Sequence, residues 1–186
     1  HIRSEEVTRI GLLDKSLTTA SGEYRFDAVV IATGSEANFY DIPGARENCI
    51  TFKSIFDAIR LRNSIIDCLE RAAIAKNPAV KREILTFNVA GAGCTGVELV
   101  AEMAEFLGQI VSREYPEINH SEIKVNLIEA APNVLTSFPP KLSRAAAERL
   151  GELGVELLTE SPIAGVSREF IRLASGRRLS NGLLVW

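Results

Sequence analysis

Three glycines in one short stretch have the spacing of a phosphate-binding loop. Gly91, Gly93 and Gly96 directly follow an apolar run, residues 84–90, and a segment of helical periodicity comes after them. A strand, a glycine turn and a helix in this order form the first half of a dinucleotide-binding unit. Glycine spacing alone is a weak signal, because glycines also occur in purely structural turns between strands and helices.

Each glycine has a physical role in such a unit. Gly91 allows the tight turn out of the strand, Gly93 lets a pyrophosphate approach the backbone because it has no Cβ, and Gly96 lets the helix pack closely. The first turn of the helix offers free N–H groups and the positive end of its dipole to the phosphates. The candidate binding loop comprises six consecutive residues: Gly91, Ala92, Gly93, Cys94, Thr95 and Gly96.

An acid stands where such a unit binds the ribose. A second apolar run, residues 125–128, ends on Glu129, which we expect to accept hydrogen bonds from both hydroxyls of the adenosine ribose. Its charge would repel a 2′-phosphate, so we expect NAD(H) as the cofactor rather than NADP(H). Glu129 lies 33 residues after Gly96, where about 20 is usual. We therefore predict a long helix followed by a surface insertion within residues 108–124.

The remaining composition excludes several classes of function. The chain has only two histidines, and its three cysteines form no C-x-x-C pair and no metal-ligand spacing, so we expect no metal. A net charge of −3 indicates no nucleic acid partner. No apolar run reaches the ~18 residues that a membrane span needs. Sparse cysteines are typical of a reducing cytoplasm, and we interpret Cys94 as a small residue tolerated in the turn.

Hydrophobic patterning predicts strands in the first part of the chain. Strands are expected over residues 5–13, 18–20 and 24–33, with a turn at Ser21-Gly22. The third strand becomes a continuous apolar run, which is typical of a strand buried on both faces of a parallel sheet. It ends on Thr33-Gly34, small residues that a ligand or another backbone could approach.

A helix is predicted over residues 54–74. Ser54 is suited to the N-cap, and Asp57 can complete a capping box. Apolar residues at helical spacing predict one buried stripe: Ile55, Ile59, Ile66, Leu69 and Ala73. Residues 75–83 are polar and contain a proline, and we interpret them as a linker.

The second part of the chain alternates helix and strand. A helix is expected over residues 141–153 with Gly154 as its C-terminal glycine, followed by a strand at 155–158. A β-meander over 162–180 and a last strand at 183–186 complete it. The predicted fold class is α/β.

These elements divide into two predicted domains. Residues 79–186 would form a Rossmann-like parallel sheet with a β-meander, truncated at its last strand. Residues 1–78 would form part of a second domain.

Two features of the chain resemble the two-dinucleotide-domain flavoprotein oxidoreductases, also called the pyridine nucleotide–disulfide oxidoreductase superfamily. There, an NAD(H) domain is inserted into an FAD domain. One feature is the strand end Ala32-Thr33-Gly34 ahead of a separate glycine-loop domain. The other is narrower, a set of segments between about residue 5 and the end that look like type II NADH dehydrogenases: Phe52-Lys53-Ser54, Asp57-Ala58, Arg62-Asn63, Glu70-Arg71-Ala72, Gly96-Val97-Glu98-Leu99, Ile128-Glu129-Ala130, Val134-Leu135, Phe138-Pro139 and Leu183-Leu184-Val185-Trp186.

The resemblance implies an FAD enzyme that takes hydride from NADH and passes electrons to a quinone. It implies that NAD(H) binds at the loop from Gly91 to Gly96, with Glu129 and Ala130 beside it. By the same resemblance residues 1–78 would be a partial FAD-binding segment and residues 79–186 the NAD(H)-binding domain.

Three further roles follow from the resemblance. Glu98 matches the catalytic acid held near the nicotinamide and the flavin, and Thr33 and Gly34 match the strand end beside the flavin-binding half. The alternative for Glu98 is a solvent-exposed charge in the first turn of a helix.

The chain also departs from the full pattern of this superfamily. It lacks the flavin glycine motif, the later Gly-Asp segment, the redox cysteine pair and a C-terminal amphipathic membrane segment. We therefore expect a fragment, with FAD bound only by the full-length protein and any membrane-surface contact made through regions absent here; a homodimer is compatible with the sequence. Two alternatives stay open: a reductase with another acceptor (a redox protein, oxygen or nitrite), and a non-catalytic NAD(H)-sensing module.

Overall fold

The computed structural model describes all of residues 1–186. The chain forms two compact units, residues 1–36 and residues 37–186. No helix is both long enough and apolar enough to cross a membrane.

The first unit is a three-stranded antiparallel sheet. Its strands are β1 (Val7–Gly11), β2 (Ser16–Thr19) and β3 (Gly22–Arg25), in the order β1-β2-β3. Thr19 pairs with Gly22, so a two-residue turn joins β2 and β3 where the sequence predicted a turn.

The predicted strand over residues 24–33 is wrong beyond Arg25. Residues 26–39 form no strand, and Val30 and Ile31 are 89% and 58% exposed. A strand buried on both faces needs a neighbour on each side, and no strand of this chain pairs with the run. Thr33 and Gly34 are therefore exposed residues outside regular structure.

The second unit is built on a four-stranded parallel sheet with the order β10-β4-β5-β6. A separate antiparallel meander has the order β7-β8-β9 and confirms the predicted one. The strand bounds are β4 (Thr86–Ala90), β5 (Lys124–Ile128), β6 (Val155–Leu158), β7 (Ile163–Val166), β8 (Phe170–Leu173), β9 (Arg178–Ser180) and β10 (Leu183–Val185).

Five α-helices belong to this unit, and the two faces of the parallel sheet bury different partners. One face packs against helices, with Phe87 and Leu127 in its core. The other face, with Ile128 and Leu184, packs against the meander. The helix bounds are α1 (Ala45–Asn48), α2 (Ile55–Ile74), α3 (Pro78–Ile84), α4 (Cys94–Glu114) and α5 (Pro140–Glu152), with a 3-10 turn at His120–Glu122.

Helix α2 begins as predicted but buries a different face. Ser54 is its N-cap and forms the capping box with Asp57. Of the predicted stripe only Leu69 is buried, and Ile55 and Ile59 are 70% and 45% exposed. The sheet selects the face, because α2 packs beside β10 and turns toward it the residues that fit the core there: Leu61, Ile65, Cys68, Leu69 and Ala72.

The compact units do not divide at the predicted linker. Residues 78–84 form helix α3, whose start is set by Pro78 in the first turn and by Asn77, which accepts from the N–H of Ala79. Because α2 also packs on the sheet, the division falls between Glu36 and Ala37. The functional assignment of residues 1–78 and 79–186 to a flavin and a nucleotide domain stays a prediction.

The long helix and the insertion after it are present, but the insertion is not purely a surface loop. Tyr115 and Ile118 are only 7% and 4% exposed and join the main core. The Tyr115 hydroxyl donates to Glu70 of α2 at 2.8 Å. The extra residues therefore anchor α4 to α2.

Helix α5 matches its predicted range within one residue. Proline occupies its first turn, and Gly154 follows it with φ +77°, as a C-terminal glycine should. Its predicted stripe is partly wrong, since Leu142 is 52% exposed while Ser143 is buried and donates to the carbonyl of Val134.

Candidate functional site

The glycine loop lies between β4 and α4 at the carboxyl end of the parallel sheet. Gly91 has φ +92°, a conformation that glycine adopts without strain. Gly93 is the N-cap of α4, and Cys94 is the first helical residue. The loop therefore reverses the chain within three residues and points the start of the helix at the end of the sheet.

Packing within the chain requires glycine at position 96 but not at position 93. A Cβ on Gly96 would lie 1.9 Å from the carbonyl oxygen of Gly91, so the helix packs against the loop backbone only with glycine there. A Cβ on Gly93 would meet nothing within 4 Å, and its φ of −73° suits any residue. Nothing inside the chain requires glycine at position 93.

Glu129 binds the glycine loop directly. One of its carboxylate oxygens accepts from the N–H of Ala92 at 2.6 Å, and the other accepts from the N–H of Ala131 at 2.8 Å. The N–H of Leu135 donates in turn to the carbonyl of Ala92 at 2.8 Å. The buried Ala92 is therefore held on both sides by the segment that follows β5.

The sequence did not predict this bracing role of Glu129. The two groups are 37 residues apart in the chain and meet because β4 and β5 are parallel neighbours. Parallel pairing carries the ends of both strands to one edge of the sheet. An acid directly after the second strand was the only signal available, and it indicated ribose binding.

The charged side chains of the site are acidic, and its hydrogen-bond donors are backbone N–H groups. Residues 91–98 and 129–140 contain no lysine or arginine, and their charged residues are Glu98 and Glu129. No side chain caps the start of α4, and Gly93, Cys94 and Thr95 are exposed. The N–H groups of the first turn thus face solvent at the positive end of a 21-residue helix.

The other candidate residues have simpler surroundings. Glu98 is exposed on the second turn of α4, and Ala130 is exposed next to Glu129. Thr33 and Gly34 belong to the other compact unit. No group of His, Cys, Asp and Glu side chains has metal-binding geometry.

The cysteines differ in their surroundings. Burial raises the pKa of the Cys49 thiol and of the Cys68 thiol, each to about 11, so both stay protonated at neutral pH. Cys94 is exposed at the first position of α4.

Comparison with known proteins identifies the family to which the chain belongs. The family profile described as pyridine nucleotide-disulphide oxidoreductase matches residues 3–186. The chain belongs to this family. Its parallel sheet, glycine loop and meander are thus the family's fold, and the sequence-based resemblance to the superfamily is confirmed.

Relatives within the family are NADH dehydrogenases. A probable NADH dehydrogenase of Dictyostelium discoideum is 34% identical over 88% of this chain and 37% of its own length. The mitochondrial external alternative NAD(P)H-ubiquinone oxidoreductase B4 of Arabidopsis thaliana is 33% identical over 100% of this chain and 32% of its own length. The chain therefore spans about a third of the length of the curated relatives it matches.

A solved structure shares the whole fold of the chain. NDH2 of Plasmodium falciparum, determined in complex with NADH, superposes with a TM-score of 0.80 at 28% identity, over 99% of this chain and 40% of that one.

Proposed function

We propose that this chain is the NADH-binding portion of a flavin-dependent NADH dehydrogenase that passes electrons to a quinone. The observation that carries the proposal is the glycine loop, with an open position at Gly93 and the Glu129 carboxylate fixed beside it. The names of the relatives support the choice of reaction, since they are NADH dehydrogenases and NAD(P)H-ubiquinone oxidoreductases.

The pyrophosphate of NADH would bind at the first turn of α4. Its oxygens need hydrogen-bond donors, and the exposed N–H groups from Gly93 onward supply them where no lysine or arginine is present. Gly93 is the position at which a side chain would stand between those donors and the phosphates. The open space on Gly93 inside the chain fits this role.

The adenosine ribose would bind at Glu129. Each carboxylate oxygen already accepts one backbone N–H, and a carboxylate oxygen can accept a second donor. A ribose hydroxyl is such a donor, whereas a 2′-phosphate would meet a fixed negative charge in segments, residues 91–98 and 129–140, that supply no lysine or arginine. We therefore propose a preference for NADH over NADPH, with Ala130 lining the same side.

A bound flavin would supply the hydride acceptor and the electron transfer to the quinone. We propose that Glu98 lies on the nicotinamide side of the loop, consistent with its exposure on α4. We propose that Thr33 and Gly34, which are exposed and outside any strand, lie beside the flavin-binding half. We propose that FAD is bound only by the full-length protein, since this chain spans about a third of the length of the relatives that it matches.

The wider partners of the protein belong to the same proposal. Ubiquinone, which the names of several relatives give as their acceptor, is a membrane-soluble substrate. We propose peripheral association with a membrane surface through regions outside this chain, and a homodimer as the assembled form.

Isothermal calorimetry of the 186-residue chain tests the nucleotide half of the proposal. NADH should bind saturably with a stoichiometry of about one, and more tightly than NADPH. The purified chain should be colourless and should not reduce a quinone. A chain that binds neither nucleotide would refute the proposal, and a stoichiometric yellow chromophore would show that the flavin site lies within these residues.

A further inference from the structure

A second cleft opens at the amino end of the parallel sheet, away from the glycine loop. It is lined by the first residues of β4 and β5, by α3 and by β9, and its volume is about 330 Å³. Small-molecule sites in proteins typically measure about 300–1,000 Å³. The cleft is therefore large enough for a small metabolite, and β4 separates it from the glycine loop by roughly 13 Å.

The cleft carries an excess of positive charge. Four basic side chains, those of Arg82, Lys124, Arg177 and Arg178, line it together with only two acids. Arg177 is paired with Glu156 at 3.3 Å, whereas Arg82 and Lys124 form no salt bridge. The net positive charge favours an anionic ligand.

One buried acceptor in the wall of the cleft has no donor. The side chain of Asn126 lines the cleft, the residue is 3% exposed, and its Oδ1 makes no hydrogen bond. Buried side-chain oxygens are nearly always paired, so an unpaired one on a cleft wall indicates a missing donor.

The hydrogen-bond network fixes which atom of Asn126 is unpaired. The Nδ2 of Asn88 donates to the carbonyls of Ser180 and Leu183, at 3.1 and 3.2 Å. The Oδ1 of Asn88 is therefore the acceptor for the Nδ2 of Asn126, at 2.9 Å. Rotating either amide would break these bonds, so the oxygen of Asn126 is held away from β4, toward its β6 neighbour Glu156.

We propose that this cleft binds a small phosphate ester that carries a free hydroxyl group. The phosphate would lie among the basic side chains, where Arg82 and Lys124, which form no salt bridge within the chain, would pair with it. The hydroxyl would donate to the Oδ1 of Asn126. This site is independent of the nucleotide site at the other end of the sheet.

Titration of the isotope-labelled 186-residue chain by NMR tests the site with three probes. Glycerol 3-phosphate has both the charge and the hydroxyls, methyl phosphate has the charge alone, and glycerol has the hydroxyls alone. Glycerol 3-phosphate should shift the Asn126 side-chain amide and the Lys124 backbone amide saturably. It should bind roughly threefold to tenfold more tightly than methyl phosphate, because one hydrogen bond to a buried acceptor is worth that much. Glycerol should not saturate.

A matched pair of variants locates the binding. Lys124→Ala should weaken glycerol 3-phosphate binding by about tenfold, since it removes a charge-assisted contact at an exposed side chain. Lys141→Ala, an exposed lysine on α5, should leave binding unchanged. NADH should not compete, whatever its own affinity.

Three results would overturn the proposal. Equal affinities for methyl phosphate and glycerol 3-phosphate would show an anion-binding surface without hydroxyl recognition. Displacement by NADH would place the phosphate at the glycine loop. Absence of any saturable shift would leave the cleft as a solvent-filled gap, in which water satisfies Asn126.

Discussion

The two ends of the parallel sheet attract anions by different means. At the carboxyl end, residues 91–98 and 129–140 carry two glutamates and no cation, and the donors are backbone N–H groups. At the amino end, the donors are basic side chains of the cleft, among them Arg82 and Lys124. Beside Arg82, the Lys81 ammonium donates to the Glu117 carbonyl and to the Glu122 carboxylate, both at 2.8 Å. One end depends on the shape of the backbone and the other on charge.

This difference predicts how each end fails. A backbone site is destroyed by any group that displaces the loop or stands before its N–H groups, and it responds little to salt because its donors carry no full charge. A side-chain site tolerates backbone changes nearby but weakens with salt, which screens its charges. The following experiments separate the two behaviours.

Gly96→Ala should have the largest effect on stability. Helix propensity alone would make alanine stabilising by up to about 1 kcal/mol. The clash of its Cβ with the Gly91 carbonyl should reverse that sign, with a net loss of about 1–3 kcal/mol. Urea unfolding measures the effect. Gly108→Ala, a helical glycine with open space around its Cβ, is the control and should be stabilising. A stabilised Gly96→Ala variant would contradict the close packing of loop and helix.

Glu129→Ala should have the second-largest effect on stability. The N–H groups of Ala92 and Ala131 lose their acceptor, and that of Ala92 is buried, so we expect a loss of about 1–3 kcal/mol in the free energy of unfolding. The ratio of NADH to NADPH affinity, measured by calorimetry, should fall toward one. Glu129→Gln keeps an acceptor but removes the charge, so it should retain more stability while losing the discrimination. An unchanged ratio in both variants would separate Glu129 from cofactor choice.

The sequence predicted the fold correctly where an element has both a clear local pattern and neighbouring strands to pair with. The unit from β4 through the glycine loop to α4 was predictable because β4 lies between two strands present in the chain, β5 and β10. The same reasoning failed for residues 26–33, where an equally apolar run has no strand beside it. An apolar run forms a buried strand only where other strands of the chain can pair with it, and the run itself does not show whether they exist.

Tertiary contacts explain the other errors. Helix α2 has apolar residues on more than one face, and the sheet rather than its own periodicity selected Leu61 and Ile65 over Ile55 and Ile59. Helix α3 was not predicted because its sequence is short and largely polar, and its main helical signal is the N-cap Asn77 ahead of Pro78. The Glu129–Ala92 bond depends on strand register, which single-sequence periodicity cannot specify.

Acid should weaken the Lys81–Glu122 contact at the amino end of the sheet. The hydrogen bond from Lys81 holds the pKa of the Glu122 carboxyl below its ordinary value of 4.5. A lowered folded-state pKa contributes stability that is present above pH 4.5 and is lost as the pH falls through the folded-state value. Lys81→Met should therefore flatten the fall in unfolding free energy below pH 4.5 while leaving NADH binding intact. A pH profile identical to that of the unmodified chain would contradict this.

Salt should have the smallest effect of these changes, and it should weaken ligand binding only at the amino end of the sheet. Since the glycine loop has no lysine or arginine, the NADH dissociation constant should change by less than about twofold between ~0.05 and ~0.5 M NaCl. Glycerol 3-phosphate binding to the cleft should weaken several-fold over the same range. A steep salt dependence of NADH affinity would indicate a side-chain cation that these residues do not provide.

The most direct test of the nucleotide site is Gly93→Val, measured for NADH affinity and for stability without nucleotide. Valine can adopt the φ of −73° at this position, and its Cβ meets nothing within 4 Å, so the chain should lose less than about 1 kcal/mol of stability. NADH binding should weaken by about one to three orders of magnitude, because one or two charge-assisted phosphate bonds are blocked. Normal NADH affinity in a stable Gly93→Val variant would show that Gly91 to Gly96 is only a structural turn, and would contradict the proposed function.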